Sequence, residues 1–169
     1  MWFVGAPVTF ADDDDQLVPP EAGIHPVRPG DRHLTLVFLG GVADGAAAQI
    51  WRSLPVLRLP AGVRALRWAR FGATALALEL SDDDELLAAA AARCEGAAEP
   101  VVELQRRPAY RPHVTMARVT RRARPPDART LEGWPLPGGP IAVGSLALYR
   151  TKPQPDGDRY EIVAEQPRP

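Results

Sequence analysis

Arg111-Pro112-His113-Val114-Thr115-Met116-Ala117-Arg118 has a shorter counterpart earlier in the chain, His33-Leu34-Thr35-Leu36. Of the three histidines in 169 residues, two therefore open the same His-x-Thr-hydrophobic unit. In both units apolar residues alternate with the polar pair: Leu34 and Leu36 around Thr35, Val114 and Met116 around Thr115. Successive side chains on a β-strand point to opposite faces. Written as strands, each unit buries one apolar face and presents an imidazole and a hydroxyl on the other. Two such strands bordering one cleft bring two imidazoles and two hydroxyls to a single phosphate-sized group. The pattern thus predicts a pair of half-buried strands facing a shared cleft.

Length and composition are compatible with that. A chain of 169 residues, 46% hydrophobic, suits one domain or two small lobes with a common core, and we expect a single bilobal unit over residues 1–169. No apolar run reaches the roughly eighteen residues that suggest a membrane span. Met1-Trp2-Phe3-Val4 lacks the basic-then-apolar design of a signal peptide, and the lone Cys94 can form no internal disulfide. A cytoplasmic protein with no membrane partner is the expectation, and a monomer. Net charge is only −1, but its distribution is uneven. Seven arginines and no acid fall between Arg106 and Arg124, around the second His-x-Thr unit, whereas acids cluster at Asp12 to Asp15 and Asp82 to Asp84. Such a basic block draws a polyanion toward the cleft.

Along the chain, Trp2 to Phe10 reads as a buried strand. Residues 11–32, with a run of four aspartates, four prolines and two glycines, read as loop with at most a turn or two of helix beginning in the aspartates. His25 is expected to be an ordinary surface residue in that loop. His33 to Gly40 is a strand, and Asp44 is placed to cap a helix running to about Leu54, which Pro55 ends. Arg64 to Phe71 and Thr74 to Leu80 read as a hairpin. Ser81 is placed to cap a helix that Gly96 stops, with Leu87, Ala91 and Cys94 on its buried face. Val101 to Leu104, Ile141 to Arg150 and Arg159 to Ala164 are further strand candidates, and a Pro-Gly-Asp turn region separates the last two. A Pro- and Arg-rich connection over residues 121–140 has Trp134 as its anchor; Trp51, Trp68 and Trp134 read as packing residues. Pro108 and Pro112 hold the lead-in to the second unit extended.

Imidazole titrates at about 6.5, so near neutrality one ring can be neutral while its partner is protonated. The neutral ring takes a proton from water and the protonated ring gives one to a leaving oxygen. Threonine hydroxyls donate to non-bridging phosphate oxygens. The matching substrate is a phosphodiester whose leaving group is a sugar hydroxyl, such as a strained 2',3'-cyclic phosphate. This chemistry asks for no metal and no cofactor. A zinc site from His25, His33 and His113 is the metal alternative, but its spacing matches no short-range ligand motif.

With their neighbours, His33-Leu34-Thr35-Leu36-Val37-Phe38-Leu39-Gly40 and Arg111 to Arg118 resemble the paired signatures of the 2H phosphoesterase superfamily. The likeness is closest to its RNA 2',3'-cyclic phosphodiesterases, also called 2'-5' RNA ligases. It extends to Trp2-Phe3-Val4, Leu148-Tyr149-Arg150-Thr151 and Tyr160-Glu161-Ile162-Val163. The resemblance implies an α+β, bilobal fold, with two antiparallel sheets around a central cleft and helices outside. It implies hydrolysis of RNA 2',3'-cyclic phosphate ends to 2'-phosphate, with His33 as proton donor, His113 as the acceptor that activates water, and Thr35 and Thr115 on the phosphate. ATP-independent 2'-5' ligation is the reverse activity it implies. By analogy with single-strand readers, Phe3, Arg118, Tyr149 and Arg150 are candidates for base or phosphate contact. The chain departs from that family's pattern before His33: where a full amphipathic helix is usual, only the acidic, proline-bearing Ala11 to Gly23 is present. A trimmed first lobe and a more open cleft mouth are expected. Two other readings stand beside this one: the same centre acting on a small cyclic nucleotide or an ADP-ribose cyclic phosphate, and an RNA-binding module whose histidines only grip phosphate.

Overall fold

Both His-x-Thr units lie on antiparallel strands. The computed structural model describes residues 1–11, 17–104, 109–153 and 157–167. In chain order the elements are β1 (Trp2–Phe10), β2 (Ile24–Pro26), β3 (His33–Gly40), α1 (Asp44–Ser53), β4 (Gly62–Val63), β5 (Ala65–Phe71), β6 (Ala75–Leu80), α2 (Leu86–Ala98), β7 (His113–Val119), α3 (Ala128–Glu132), β8 (Ile141–Val143), β9 (Ala147–Thr151) and β10 (Tyr160–Glu165). The strand order is β10-β9-β1-β3-β7-β6-β5, with β2 also on β7 and β8 linking β1 to β4. The architecture is α+β, as the sequence implies. The two expected sheets are two wings of one strand order. They meet where Leu34 of β3 lies opposite Val114 of β7, so each wing contributes one histidine to the seam.

The apolar faces of both motif strands are buried: Leu34, Val114 and Met116 are inaccessible to solvent, and Leu36 nearly so. Helix α2 packs against β3. Its Leu87, Ala91 and Cys94 share the buried face, and burial pushes the Cys94 thiol up to about 12, in keeping with a packing role. The anchor role of Trp134 is realised against Trp68, edge to face at 5.0 Å, while the Trp68 indole N–H donates to the Pro135 carbonyl. No helix among the described residues is long and apolar enough to cross a membrane.

Several elements differ from the sequence reading, each for a local reason. Ala43, not Asp44, takes the capping position of α1, with extended backbone, and Asp44 is its first residue. Helix α2 starts at Leu86 rather than beside Ser81, because Glu85 turns into the left-handed region at φ 55°. The cap is then Asp82, whose carboxylate accepts the N–H groups of Leu87 and Ala88 at 2.9 and 2.8 Å, while the Ser81 hydroxyl accepts from Arg64 N–H. Gly96 lies inside α2. Residues 101–104 form no strand, because the N–H groups of Val101 and Val102 both donate back to the Ala98 carbonyl at the helix end. The expected strand from Ile141 to Arg150 is split into β8 and β9. Both run along β1, but Pro7 has no N–H for the ladder, and Gly144 crosses there by donating to the Pro7 carbonyl. A Cβ at Gly144 would collide with the Pro7 ring. His25 is in β2, not loop, and is exposed. Asp12 to Asp15, Arg106, Arg107, Pro108 and Pro155 lie outside the described residues, as does part of the expected first-lobe trimming.

Candidate active site

The two motif strands have the same burial sequence. On β3, His33, Thr35 and Phe38 are half-buried while Leu34, Leu36, Val37 and Leu39 are buried; on β7, His113, Thr115 and Arg118 are half-buried while Val114, Met116, Ala117 and Val119 are buried. Strict alternation would put Val37 and Ala117 on the histidine face, leaving Phe38 and Arg118 on the other. One extra residue in each strand prevents this. On β1, Gly5 lies opposite Thr35 and the adjacent Val4 opposite Val37, so Leu36 is extra; on β6, Ala77 lies opposite Thr115 and Leu76 opposite Ala117, so Met116 is extra. These bulges re-aim the side chain five places beyond each histidine toward the cleft. Gly5 makes the first one fit, since a Cβ there would collide with the Leu34 carbonyl oxygen.

His33, Thr35, His113, Thr115 and Arg118 thereby line one cleft of about 460 Å³, with Phe3 behind His33. The two imidazoles are held alike. His33 Nδ1 lies 2.7 Å from the Asp31 carbonyl and His113 Nδ1 lies 2.8 Å from the Arg111 carbonyl. A carbonyl only accepts, so Nδ1 is the protonated nitrogen of each neutral ring, and Nε2 carries the basic lone pair. Each ring also rests on a phenylalanine: His33 on Phe3 at 4.5 Å, His113 on Phe71 at 3.8 Å. Burial pushes the His33 imidazole down to about 4, against the hydrogen bond and charge of Asp31, and the nearby charges of Arg118 and His113 push the same way.

The cleft walls differ. Phe38 and Tyr160 line the first wing, Arg111 and Arg118 the second. Arg111 lies over the Phe71 ring at 4.8 Å and donates to the buried Glu79 carboxylate at 2.9 Å; Arg67 donates to the other oxygen at 2.6 Å. The hydrogen bond from Arg111, first among these, holds the Glu79 carboxyl below the usual carboxylate range despite its burial. Tyr110, on the lead-in to β7, donates its hydroxyl to the Thr35 carbonyl at 3.2 Å, tying one wing to the other.

Two candidates stand apart from the cleft. Tyr149 is buried with its ring stacked on Phe3 at 4.7 Å, and its hydroxyl has no hydrogen-bond partner among the described residues. Arg150 is paired with Glu161 at 2.6 Å and lies over Trp2. Phe38, Arg111, Tyr110 and Tyr160 line the cleft, although the sequence reading does not single them out as contacts. For Phe38 a signal exists, since it stands five places after His33 as Arg118 stands five places after His113. Among the described residues, no three His, Cys, Asp or Glu side chains gather as metal ligands.

No protein-family model matches the chain, and no curated protein matches it. Solved structures do. Escherichia coli LigT complexed with 3'-AMP superposes with a TM-score of 0.71 at 22% identity, over 98% of this chain and 95% of that one. A phosphoesterase gives 0.71 at 20% identity, over 98% and 95%. The protein TT0787 of Thermus thermophilus gives 0.69 at 21% identity, over 97% and 95%. The chain therefore has, from end to end, the fold of the LigT and phosphoesterase structures, the one implied by its resemblance to the 2H phosphoesterase superfamily.

Proposed function

We propose that this protein hydrolyses RNA ends carrying a 2',3'-cyclic phosphate, leaving a 2'-phosphate. The observation that carries the reading is the matched pair of imidazoles, each with Nδ1 spent on the carbonyl two residues before it, which makes Nε2 the nitrogen for chemistry. One Nε2 takes a proton from the attacking water while the other gives its proton to the departing 3'-oxygen. Thr35, Thr115 and Arg118 hold the non-bridging oxygens, where negative charge grows in the transition state. Phe38 and Arg111 suit a nucleobase, because an aromatic ring and a flat guanidinium are both surfaces on which bases stack. The nucleotide seen in the E. coli LigT structure, 3'-AMP, has this chemistry: one base, one ribose, one phosphate. With a 5'-hydroxyl attacking the cyclic phosphate in place of water and the same 3'-oxygen leaving, the centre would join two ends through a 2'-5' linkage without ATP, and the likeness to LigT favours that second reading.

The test is turnover of an oligonucleotide with a 2',3'-cyclic end, beside a cyclic mononucleotide, in excess EDTA. Each of His33→Ala and His113→Ala should lower kcat by about 100-fold or more while oligonucleotide binding persists. If the double variant turns over like wild type, the residues are not catalytic. Binding without turnover by the wild-type protein would leave an RNA-binding module.

A further inference from the structure

Arg70, Arg111 and Arg118 line the cleft, as suits a site for phosphate, yet one carboxylate also stands among its described lining residues, Glu95 of α2. We propose that Glu95 reads the base of the terminal nucleotide and selects guanine. The assignment rests on the reading of the cleft as a site for RNA 2',3'-cyclic ends, and adds to it the base that the end carries.

The seam between the wings explains how a residue of α2 comes to face the substrate. β3 and β7 are antiparallel and paired through Leu34 and Val114, so β3 beyond Leu34 runs beside the chain that precedes Val114. Thr35 and Phe38 therefore lie alongside Tyr110 and Ala109, and the bond from the Tyr110 hydroxyl to the Thr35 carbonyl marks that overlap. Helix α2 packs against β3. Near its C-terminal end Cys94 is buried, while Glu95, the next residue, is half-buried and lines the cleft. Burial is the main cause of the raised Tyr110 pKa, and the charge of Glu95 adds to it, which puts the carboxylate near Tyr110. Tyr110 does not satisfy that carboxylate, because its hydroxyl proton is given to Thr35. Among the described residues the Glu95 side chain has no hydrogen bond or ion pair.

A carboxylate covered by a ligand must be met by donors, because a desolvated charge without a partner is strongly unfavourable. On a cyclic RNA end donors are scarce. The 2'- and 3'-oxygens of the last ribose are both esterified in the ring, and its 5'-oxygen is esterified to the nucleotide before. Every N–H of the terminal nucleotide is then on the base, and it has no O–H. Guanine presents N1–H and the N2 amino group side by side, two parallel donors for the two oxygens of Glu95. Adenine and cytosine set an amino group beside an acceptor nitrogen, which the second oxygen repels. Uracil has a single N–H between two carbonyls. Phe38 lines the same stretch of the cleft and carries the face of the base while Glu95 takes its edge. The same carboxylate repels phosphate, so it favours binding only through what it accepts from the base.

The test compares kcat/KM for trinucleotides ending in guanosine, inosine, adenosine, cytidine or uridine 2',3'-cyclic phosphate. The base of inosine is guanine without the N2 amino group, so wild type should turn it over about tenfold more slowly than guanosine. Glu95→Gln replaces two acceptors with one acceptor and one donor, which matches the edge of adenine or cytosine. Its guanosine-to-inosine ratio should fall to about one or below, and its guanosine-to-adenosine ratio by on the order of 100-fold relative to wild type. Each comparison is a ratio within one protein, so a partly unfolded variant does not imitate it. Wild-type rates that do not distinguish guanosine from inosine overturn the assignment. So does a Glu95→Gln variant that is slower on every end alike, with its ratios unmoved. A wild-type protein inert toward all five ends instead removes the hydrolytic reading beneath it.

Discussion

His33 lies under Phe3 with Nδ1 committed to a carbonyl, so a proton on Nε2 would place charge where little water reaches it. In the unfolded chain the same ring titrates at about 6.5; in the folded protein it is pushed down to about 4. Between those values the unfolded chain binds more protons, so this ring's contribution to stability is complete above about pH 6.5 and is lost as pH falls toward about 4. A depression of that size corresponds to at most roughly 3 kcal/mol. Urea midpoints at about pH 7 and about pH 4.5 should therefore draw apart less in His33→Phe than in wild type, because the substituted ring has no proton to take up. Equal losses in both proteins would mean that His33 titrates like a solvated imidazole and that its ring is less enclosed than its neighbours imply.

At the scale of the element, α2 begins under strain. Glu85 is the one non-glycine residue with positive φ among the described residues, and it precedes a first turn capped by Asp82 instead of by its own side chain. Left-handed backbone costs a residue with a Cβ about 1 kcal/mol or more, part of which glycine gives back in chain entropy. Glu85→Gly should accordingly stabilise by about 0.5–1 kcal/mol, raising Tm by about 1–4 °C with activity unchanged; a lower Tm would mean that the Glu85 side chain contributes more than its backbone costs. The same elements explain what sequence can and cannot convey. The strands with His33 and His113 are legible because a buried face imposes period two, and the histidines and threonines because they fall on the opposite face. The bulges are not, since Leu36-Val37 and Met116-Ala117 are apolar pairs that hydropathy cannot distinguish from a frame that simply drifts. The start of α2 is ambiguous in sequence because Ser81 and Asp82 are both good caps, and only the backbone at Glu85 decides between them. Asp31, Glu79, Tyr110 and Tyr160 become informative only through partners 128, 32 and 75 residues away along the chain, or through rings packed edge to face across strands.

Across the whole molecule, the proposed catalysis by two imidazoles demands that two wings keep one spacing. The seam between β3 and β7 pairs Leu34 with Val114, a narrow hinge for strands that, in the proposed reaction, would hold His33 and His113 on either side of one phosphorus atom. Tyr110 supplements it: from the lead-in to β7, its part-buried hydroxyl reaches the carbonyl of Thr35, the residue proposed to hold the phosphate from the opposite wing. Burial pushes that hydroxyl's pKa well above the ordinary tyrosine value, so it remains a donor throughout the working pH range. Removing it leaves a carbonyl short of a partner, at a cost of about 1 kcal/mol. The consequence for rate should be larger than that for stability, because small errors in the placement of reacting groups are amplified in the transition state. Tyr110→Phe keeps the ring and its packing, so we expect kcat to fall about tenfold with KM nearly constant and the unfolding midpoint only slightly lowered. A raised KM at constant kcat would instead make Tyr110 a substrate contact of the cleft it lines. Unchanged kinetics with the same small loss of stability would mean that the Leu34–Val114 pairing holds the wings by itself.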